Sequence, residues 1–178
     1  MSSSIVLLGY MGCGKTKVGK KLSKHIGSKF IDLDAEIELF YSKSISQIFD
    51  KFGEIEFRKI ERKMLMSILN KNEFCVLSLG GGTPCYFDNM EFINKKTSLT
   101  FFLNLDSKVL ATRLFSRKSK RPLLRSIKDQ NEMLNFVNKH LFERNTFYSK
   151  ANYTIKTSKR DVSKTCEEIL KILKKDSC

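Results

Sequence analysis

The stretch that most restricts what this chain can fold into is Gly9-Tyr10-Met11-Gly12-Cys13-Gly14-Lys15-Thr16, preceded by the apolar run Ile5-Val6-Leu7-Leu8. It matches G-x-x-x-x-G-K-[ST] between a strand and a helix-compatible segment. In that setting the loop turns its backbone N–H groups inward on a phosphate chain, and the helix that follows adds its positive N-terminal end. Lys15 is expected to reach the β- and γ-phosphates of a nucleotide and Thr16 to hold Mg²⁺. A strand, phosphate loop and helix opening the chain point to an α/β sheet with its ligands at the carboxyl ends of the strands.

The remaining elements follow by periodicity. Val18, Leu22 and Ile26 predict a helix from Lys15 to about Ile26, closed by Gly27. Lys29-Phe30-Ile31-Asp32-Leu33-Asp34 reads as a second strand. Residues two apart on a strand share a face, roughly 7 Å apart, so Asp32 and Asp34 can both point into one cleft. Asp34 as a helix N-cap is the alternative. Residues 35–70 read as helical, with breaks at Ser42-Lys43-Ser44 and at Gly53. Within them Glu54, Arg58, Glu61 and Arg62 form a charged ladder on one face. Taken alone, that ladder favours a solvated surface; an arginine oriented by carboxylates would also suit a substrate carboxylate.

Phe74–Leu79 predicts a buried strand running into Gly80-Gly81-Gly82, a run suited to close approach of a ligand to the backbone, or to a plain turn. Ser78 stands where P-loop enzymes carry an acidic metal-side group, which makes Asp32 the nearest acidic candidate. Leu99–Leu103 is another strand. Asp106 caps a helix carrying Val109, Leu110 and Leu114. Ser116–Ser126 is basic and lacks apolar periodicity, so it reads as a mobile cover, with a nuclear-localisation or RNA-binding patch as the competing reading. From Asp129 to Tyr148 a helix places Leu134, Val137, Leu141 and Tyr148 on an apolar stripe, with Arg144 at its margin. Ala151–Lys156 and Val162–Leu173 supply the last strand and helix. Five strands alternating with helices predict a parallel sheet.

Composition narrows the function classes. The 178 residues suit one domain. Thirty-three Lys and Arg against 19 Asp and Glu leave a formal charge of +14, which favours an anionic partner. The basic residues are scattered and no aromatic-basic recognition motif accompanies them, so nucleic acid is not the expected partner. The five cysteines form no C-x-x-C pair and read as reduced thiols. With no signal-peptide pattern and no membrane-length apolar run, the expected setting is cytoplasmic.

GYMGCGKT (residues 9–16), FIDLD ending at Asp34, IFDKFGEIEFRKIE (48–61), LSLGGGT (77–83), KRPLL (120–124) and the Arg144–Tyr148 segment occur in an order and spacing that resemble the shikimate kinase family over nearly the whole chain. The resemblance implies a nucleoside-monophosphate-kinase-like three-layer fold with a central five-stranded parallel sheet. A substrate-binding helical region would span about 33–71 and a mobile lid about 115–127. The implied reaction moves the γ-phosphate of ATP to the 3-hydroxyl of shikimate. The implied nucleotide contacts are Gly12, Cys13, Gly14, Lys15, Thr16 and Lys17, with Arg117 and the Thr157-to-Arg160 loop, Arg160 included, at the adenine. Thr16 and Asp32 are implied at Mg²⁺, with Ser78 in its water shell. Asp34 would orient the hydroxyl and act as base, and Arg121 would close over the phosphates. Arg58, held by Glu61, and Arg144 would grip the substrate carboxylate above a floor of Gly80, Gly81 and Gly82. A working monomer is expected.

Ser42 and Thr146 depart from the glycine and proline frequent in that family, and neither touches an implied contact. Cys13 raises the expectation that thiol reagents would inactivate the protein and that ATP would protect it. Two other functions compete: a related P-loop kinase of another small hydroxy acid such as gluconate, and a basic nucleic-acid-binding module that uses ATP as a switch.

Overall fold

Ile5, Val6, Leu7 and Leu8 form β1, and all four are buried. A strand with no polar alternation needs partners on both edges and helices on both faces. β1 pairs in parallel with β3 (Cys75–Ser78) on one side and β4 (Thr100–Leu105) on the other. β2 (Lys29–Asp32) lies beyond β3 and β5 (Tyr153–Thr157) beyond β4, which gives the order β2-β3-β1-β4-β5. All four pairings are parallel, as the alternation of strands and helices predicted. The edge strands β2 and β5 carry the exposed polar residues that β1 and β3 lack. This is the arrangement in a computed structural model that describes residues 4–71, 73–118, 124–157 and 161–175.

The chain leaves β1 towards β2 on one side and later crosses from β3 to β4 on the other, so the loops after β1, β3 and β4 part around a crevice at the strands' carboxyl ends. Helix α1 (Lys15–His25) follows the loop after β1 and packs against α7 (Val162–Lys175). Helix α5 (Ser107–Phe115), capped by Asp106, packs against α6 (Gln130–Tyr148), capped by Asp129. The short α4 (Asn89–Lys96) completes the set between β3 and β4.

Two expectations change. β2 ends at Asp32, whose carboxylate accepts from the Ala35 N–H and starts α2 (Leu33–Tyr41). Asp34 therefore lies in the first helical turn; the strong N-cap preference of aspartate operates two residues earlier than a strand through Asp34 allows. On α6 the buried positions are Met133, Val137 and Tyr148, with Leu134 and Leu141 only partly buried. The inward stripe runs on through the polar His140 and Arg144, both lining the cleft, and hydrophobic periodicity alone cannot follow it there. In the segment expected to be a mobile cover, Leu124 is buried, as is Ile127 just beyond it, and Lys118 Nζ donates to the Ile127 carbonyl at 2.8 Å. Ser116, Arg117, Arg125 and Ser126 are exposed, and residues 119–123 lie outside the described residues.

Helix α3 (Ile45–Asn70) opens with a reciprocal capping box between Ser44 and Gln47. It is bent at Gly53, whose φ of 77° and ψ of 169° belong to a region that only glycine occupies without strain. The bend sets the direction of the 54–70 portion, which carries Arg58 and Glu61. Gly53→Ala is expected to cost about 1–3 kcal/mol, read as a lower melting temperature, and to raise the Michaelis constant for the phosphoryl acceptor more than that for the nucleotide.

Candidate active site

Helices α2, α3, α5 and α6 each begin with a side chain capping their first N–H groups, whereas α1, like the short α4, has no side-chain cap, and it begins at Gly14, left-handed at φ 110°. Its first N–H groups therefore have no intrahelical partner and no cap where Gly12–Thr16 face a cleft of about 1040 Å³. Lys15 is buried beneath the loop, its Nζ donating to the Gly9 carbonyl at 2.7 Å and the Tyr10 carbonyl at 3.2 Å. Thr16 Oγ1 donates to Asp32 Oδ2 at 2.8 Å. Lys17 and Arg117 are exposed and line the same cleft, as does Thr157. Arg121 and Arg160 lie outside the described residues. Cys13 is 3 % exposed in the lining of the cleft, which limits the access that a thiol reagent needs.

Opposite the loop, Arg58 and Glu61 stand on one face of the bent α3. Arg58 Nη1 donates to Glu61 Oε2 at 2.9 Å and Nη2 to Glu54 Oε1 at 3.2 Å. Glu61 is 1 % exposed and also accepts from Thr83 Oγ1 at 2.6 Å. The ladder is thus not the solvated face that its spacing alone favours. Arg62 departs from it, turning to Asp88 and to Asn89 Oδ1. One nitrogen is left over: Arg58 Nε is buried and has no hydrogen-bond partner among the described residues. Buried polar groups are rarely left so, and an unmet N–H on a cleft-lining guanidinium suits a carboxylate ligand. Arg144, one turn before Tyr148, lines the same cavity and lies over the Tyr10 ring at 5.6 Å.

The glycine run between these halves is required by space. A Cβ on Gly80 would sit 2.7 Å from Asp34 Oδ1 and 2.8 Å from Glu61 Oε1, and one on Gly82 would sit 2.8 Å from both Arg58 Nη atoms. The close approach is therefore made by the site's own charged side chains.

Asp34 lies where the two halves meet. Burial, then the neighbouring Glu61 and Asp32 carboxylates, push its pKa up from 3.8 to about 6, against the pull of Lys15 and Arg58. A carboxylate tuned in this way is a better proton acceptor than an ordinary one and is still ionised at neutral pH.

Several contacts have no readable signal in the sequence. Arg113 Nη1 donates to the Gly12 carbonyl at 3.1 Å, Tyr148 Oη to the Gly81 carbonyl at 2.6 Å, and Tyr10 Oη pairs with His140 Nδ1 at 2.8 Å. Periodicity marks Tyr148 only as core and does not mark His140 at all. As for a metal, the Thr16 hydroxyl and Asp32 carboxylate are hard oxygen donors already in contact. No group of three or more His, Cys, Asp or Glu forms a cage among the described residues. Mg²⁺ ordinarily takes one or two carboxylates with nucleotide phosphates and water, so this pair fits it as a half-site completed by the nucleotide.

A five-stranded parallel sheet, a P-loop motif at the end of its central strand and a facing cleft-lining arginine define a P-loop kinase fold of the nucleoside-monophosphate-kinase type. The sequence model of shikimate kinase matches residues 11–174, and the chain belongs to the shikimate kinase family. A shikimate kinase of Flavobacterium psychrophilum is 43% identical over 169 residues, covering 95% of this chain and 98% of that one. The crystal structure of a Bacteroides thetaiotaomicron shikimate kinase superposes with a TM-score of 0.88 at 36% identity, over 97% of this chain and 98% of the other. That of an Acinetobacter baumannii shikimate kinase in complex with shikimate gives 0.87 at 30% identity, over 99% and 95%. Among the described residues no helix is long and apolar enough to cross a membrane.

The folded protein binds the Asp34 proton more tightly than the unfolded chain does. Its contribution to stability is therefore fully present below pH 3.8 and lost as pH rises through about 6. Asp34→Asn is expected to lower kcat by about 10²–10⁴ while raising the melting temperature at pH 8 by about 4–8 °C, equivalent to about 2 kcal/mol. The thermal gain should shrink when the melts are repeated towards pH 5. In the unsubstituted protein, kcat/KM should fall below about pH 6.

Proposed function

We propose that this protein transfers the γ-phosphoryl group of ATP to the 3-hydroxyl of shikimate, giving shikimate 3-phosphate and ADP on the route through chorismate to the aromatic amino acids. Family membership supports the reaction. The observation that carries the substrate is Arg58: a planar cation lining the cleft, fixed at both Nη atoms, with its buried Nε unmet.

In this reading the N–H groups of the Gly12–Thr16 loop, with Lys17, hold the triphosphate. Lys15 exchanges its bonds to the Gly9 and Tyr10 carbonyls for phosphate oxygens, which is favourable because a charge-assisted pair is stronger than a bond to a neutral carbonyl. Arg117 and Arg160 flank the adenine, and Arg121 closes over the phosphates. Arg58 and Arg144 take the shikimate carboxylate above Gly80, Gly81 and Gly82, which aims the hydroxyl at Asp34. The Asp34 carboxylate accepts that proton as the phosphoryl group is transferred. Mg²⁺, held by Thr16 and Asp32 with Ser78 nearby, supplies charge neutralisation across the phosphates.

Phosphoryl transfer depends more on positioning and charge stabilisation than on covalent catalysis. An arginine reaching the transferring group is worth about 10³–10⁵ in rate, against about 10²–10⁴ for a general base. Arg121 and Lys15 therefore rank above the proton transfer to Asp34. The protein acts as a monomer in the cytoplasm. Its +14 charge is mostly surface composition, with a few cations at an anionic site.

A coupled ADP assay over a panel of hydroxy acids is expected to show turnover with shikimate and none with gluconate; absence of shikimate-stimulated ADP release sinks the proposal. Arg58→Lys should raise the Michaelis constant for shikimate about tenfold or more and leave that for ATP nearly unchanged, because an ammonium cannot reproduce the bidentate fork. Equal effects on both substrates would remove Arg58 from the acid site.

A further inference from the structure

We propose that Tyr86 is a positioning residue for the acid substrate, holding the Arg58 guanidinium plane in the orientation that receives a carboxylate. The inference rests on the reading of Arg58 given above and extends it to a residue outside the cleft. Tyr86 is the first extended residue, φ −114° and ψ 146°, after the 3-10 turn Thr83–Cys85 that follows the glycine run. Its ring lies 4.1 Å from Arg58 Cζ, nearer than the rings of Phe57 at 5.1 Å and Phe49 at 5.7 Å. Phe49, Phe57 and Arg58 line the cleft; Tyr86 is not among the lining residues. It therefore acts through Arg58 and from behind it.

Three constraints meet on one planar cation. Glu61 fixes Nη1, and Glu54 Oε1 fixes Nη2. Tyr86 Oη donates at 2.7 Å to that same Glu54 oxygen, so one side chain both sets its ring against the guanidinium and anchors the carboxylate at its end. What remains free is the Nε edge. A guanidinium held at two nitrogens can still tilt about the line joining them, and a ring packed on its face opposes that tilt.

The ring matters more than the hydroxyl here. Glu54 is 54% exposed on its side chain, where hydrogen bonds and ion pairs contribute little. The ring faces a cation whose side chain is 10% exposed, and stacking on an arginine strengthens as the cation loses water. The aromatic face, rather than the volume, is the active property.

The test compares Tyr86→Phe, Tyr86→Leu and Tyr86→Ala by steady-state kinetics with shikimate and ATP varied separately. Phe keeps the face and should stay within about threefold of the unsubstituted protein in the Michaelis constant for shikimate. Leu keeps bulk without a π face and, like Ala, should raise it about tenfold, with kcat and the Michaelis constant for ATP within about twofold. The unchanged ATP constant also reports that the variant is folded, and the Leu variant supplies the comparison if Ala does not fold. In an Arg58→Lys background the Tyr86→Leu effect should fall to about twofold, since an ammonium has no plane to orient. Parallel rises in both Michaelis constants, a Phe variant no better than Leu, or a full Leu effect persisting in the Arg58→Lys background would each overturn the assignment. Failure of the unsubstituted protein to use shikimate would instead overturn the proposed function; normal turnover with a silent Leu variant would overturn this inference alone.

Discussion

The site depends on a carboxylate that has almost no water. Glu61 is 1% exposed, and a charge in that position is tolerable only when paired and hydrogen-bonded. Its two oxygens are met by Arg58 and Thr83, which ties α3 to the turn after β3. The same charge raises the Asp34 pKa and stands within 2.8 Å of where a Gly80 Cβ would be. Removing it would leave Arg58 unneutralised on one side, release Thr83 and return Asp34 towards an ordinary carboxylate. One buried acid thus holds the Arg58 guanidinium in place and adds to the effect of burial in raising the Asp34 pKa.

The nucleotide half follows the opposite logic. Glu61 is satisfied inside the protein, whereas the start of α1 carries no side-chain cap, and the hydrogen bonds of Lys15 among the described residues go to neutral groups of its own loop. Both are features that a polyanion would satisfy better than the protein does. Tyr10 joins the halves: its carbonyl takes part in holding Lys15, its hydroxyl pairs with His140, and its ring lies under Arg144. The loop after β1 is therefore packed directly against α6, the helix that carries Arg144.

Local features are legible in the sequence and contacts between distant segments are not. The breaks at residues 42–44 and Gly53 can be read because turn chemistry is written into a few consecutive residues: Ser42 takes a positive φ, Ser44 caps, and Gly53 adopts an angle closed to other residues. The Asp32–Asp34 boundary misleads because two aspartates compete to end a strand and start a helix, and the cap falls on the earlier one. The Glu54–Arg62 ladder misleads because spacing shows which residues share a face and says nothing of what covers it. The contacts of Arg113, Tyr148 and His140 leave no trace, since their partners lie 101, 67 and 130 residues away in the chain.

The sequence by itself determined a phosphate-loop motif at the end of a buried first strand, because glycine, lysine and threonine at those spacings act through backbone geometry within a single loop. It also determined the parallel sheet, through apolar runs too continuous to leave either face in water. Only the tertiary structure decided that Arg58 is a pinned cation with an unmet nitrogen, that Asp34 has a raised pKa and that Tyr86 stands behind the Arg58 guanidinium. Those properties come from burial and from charges brought together by the packing of α2, α3 and the turn after β3, and desolvation is set by what surrounds a side chain rather than by its neighbours in the chain.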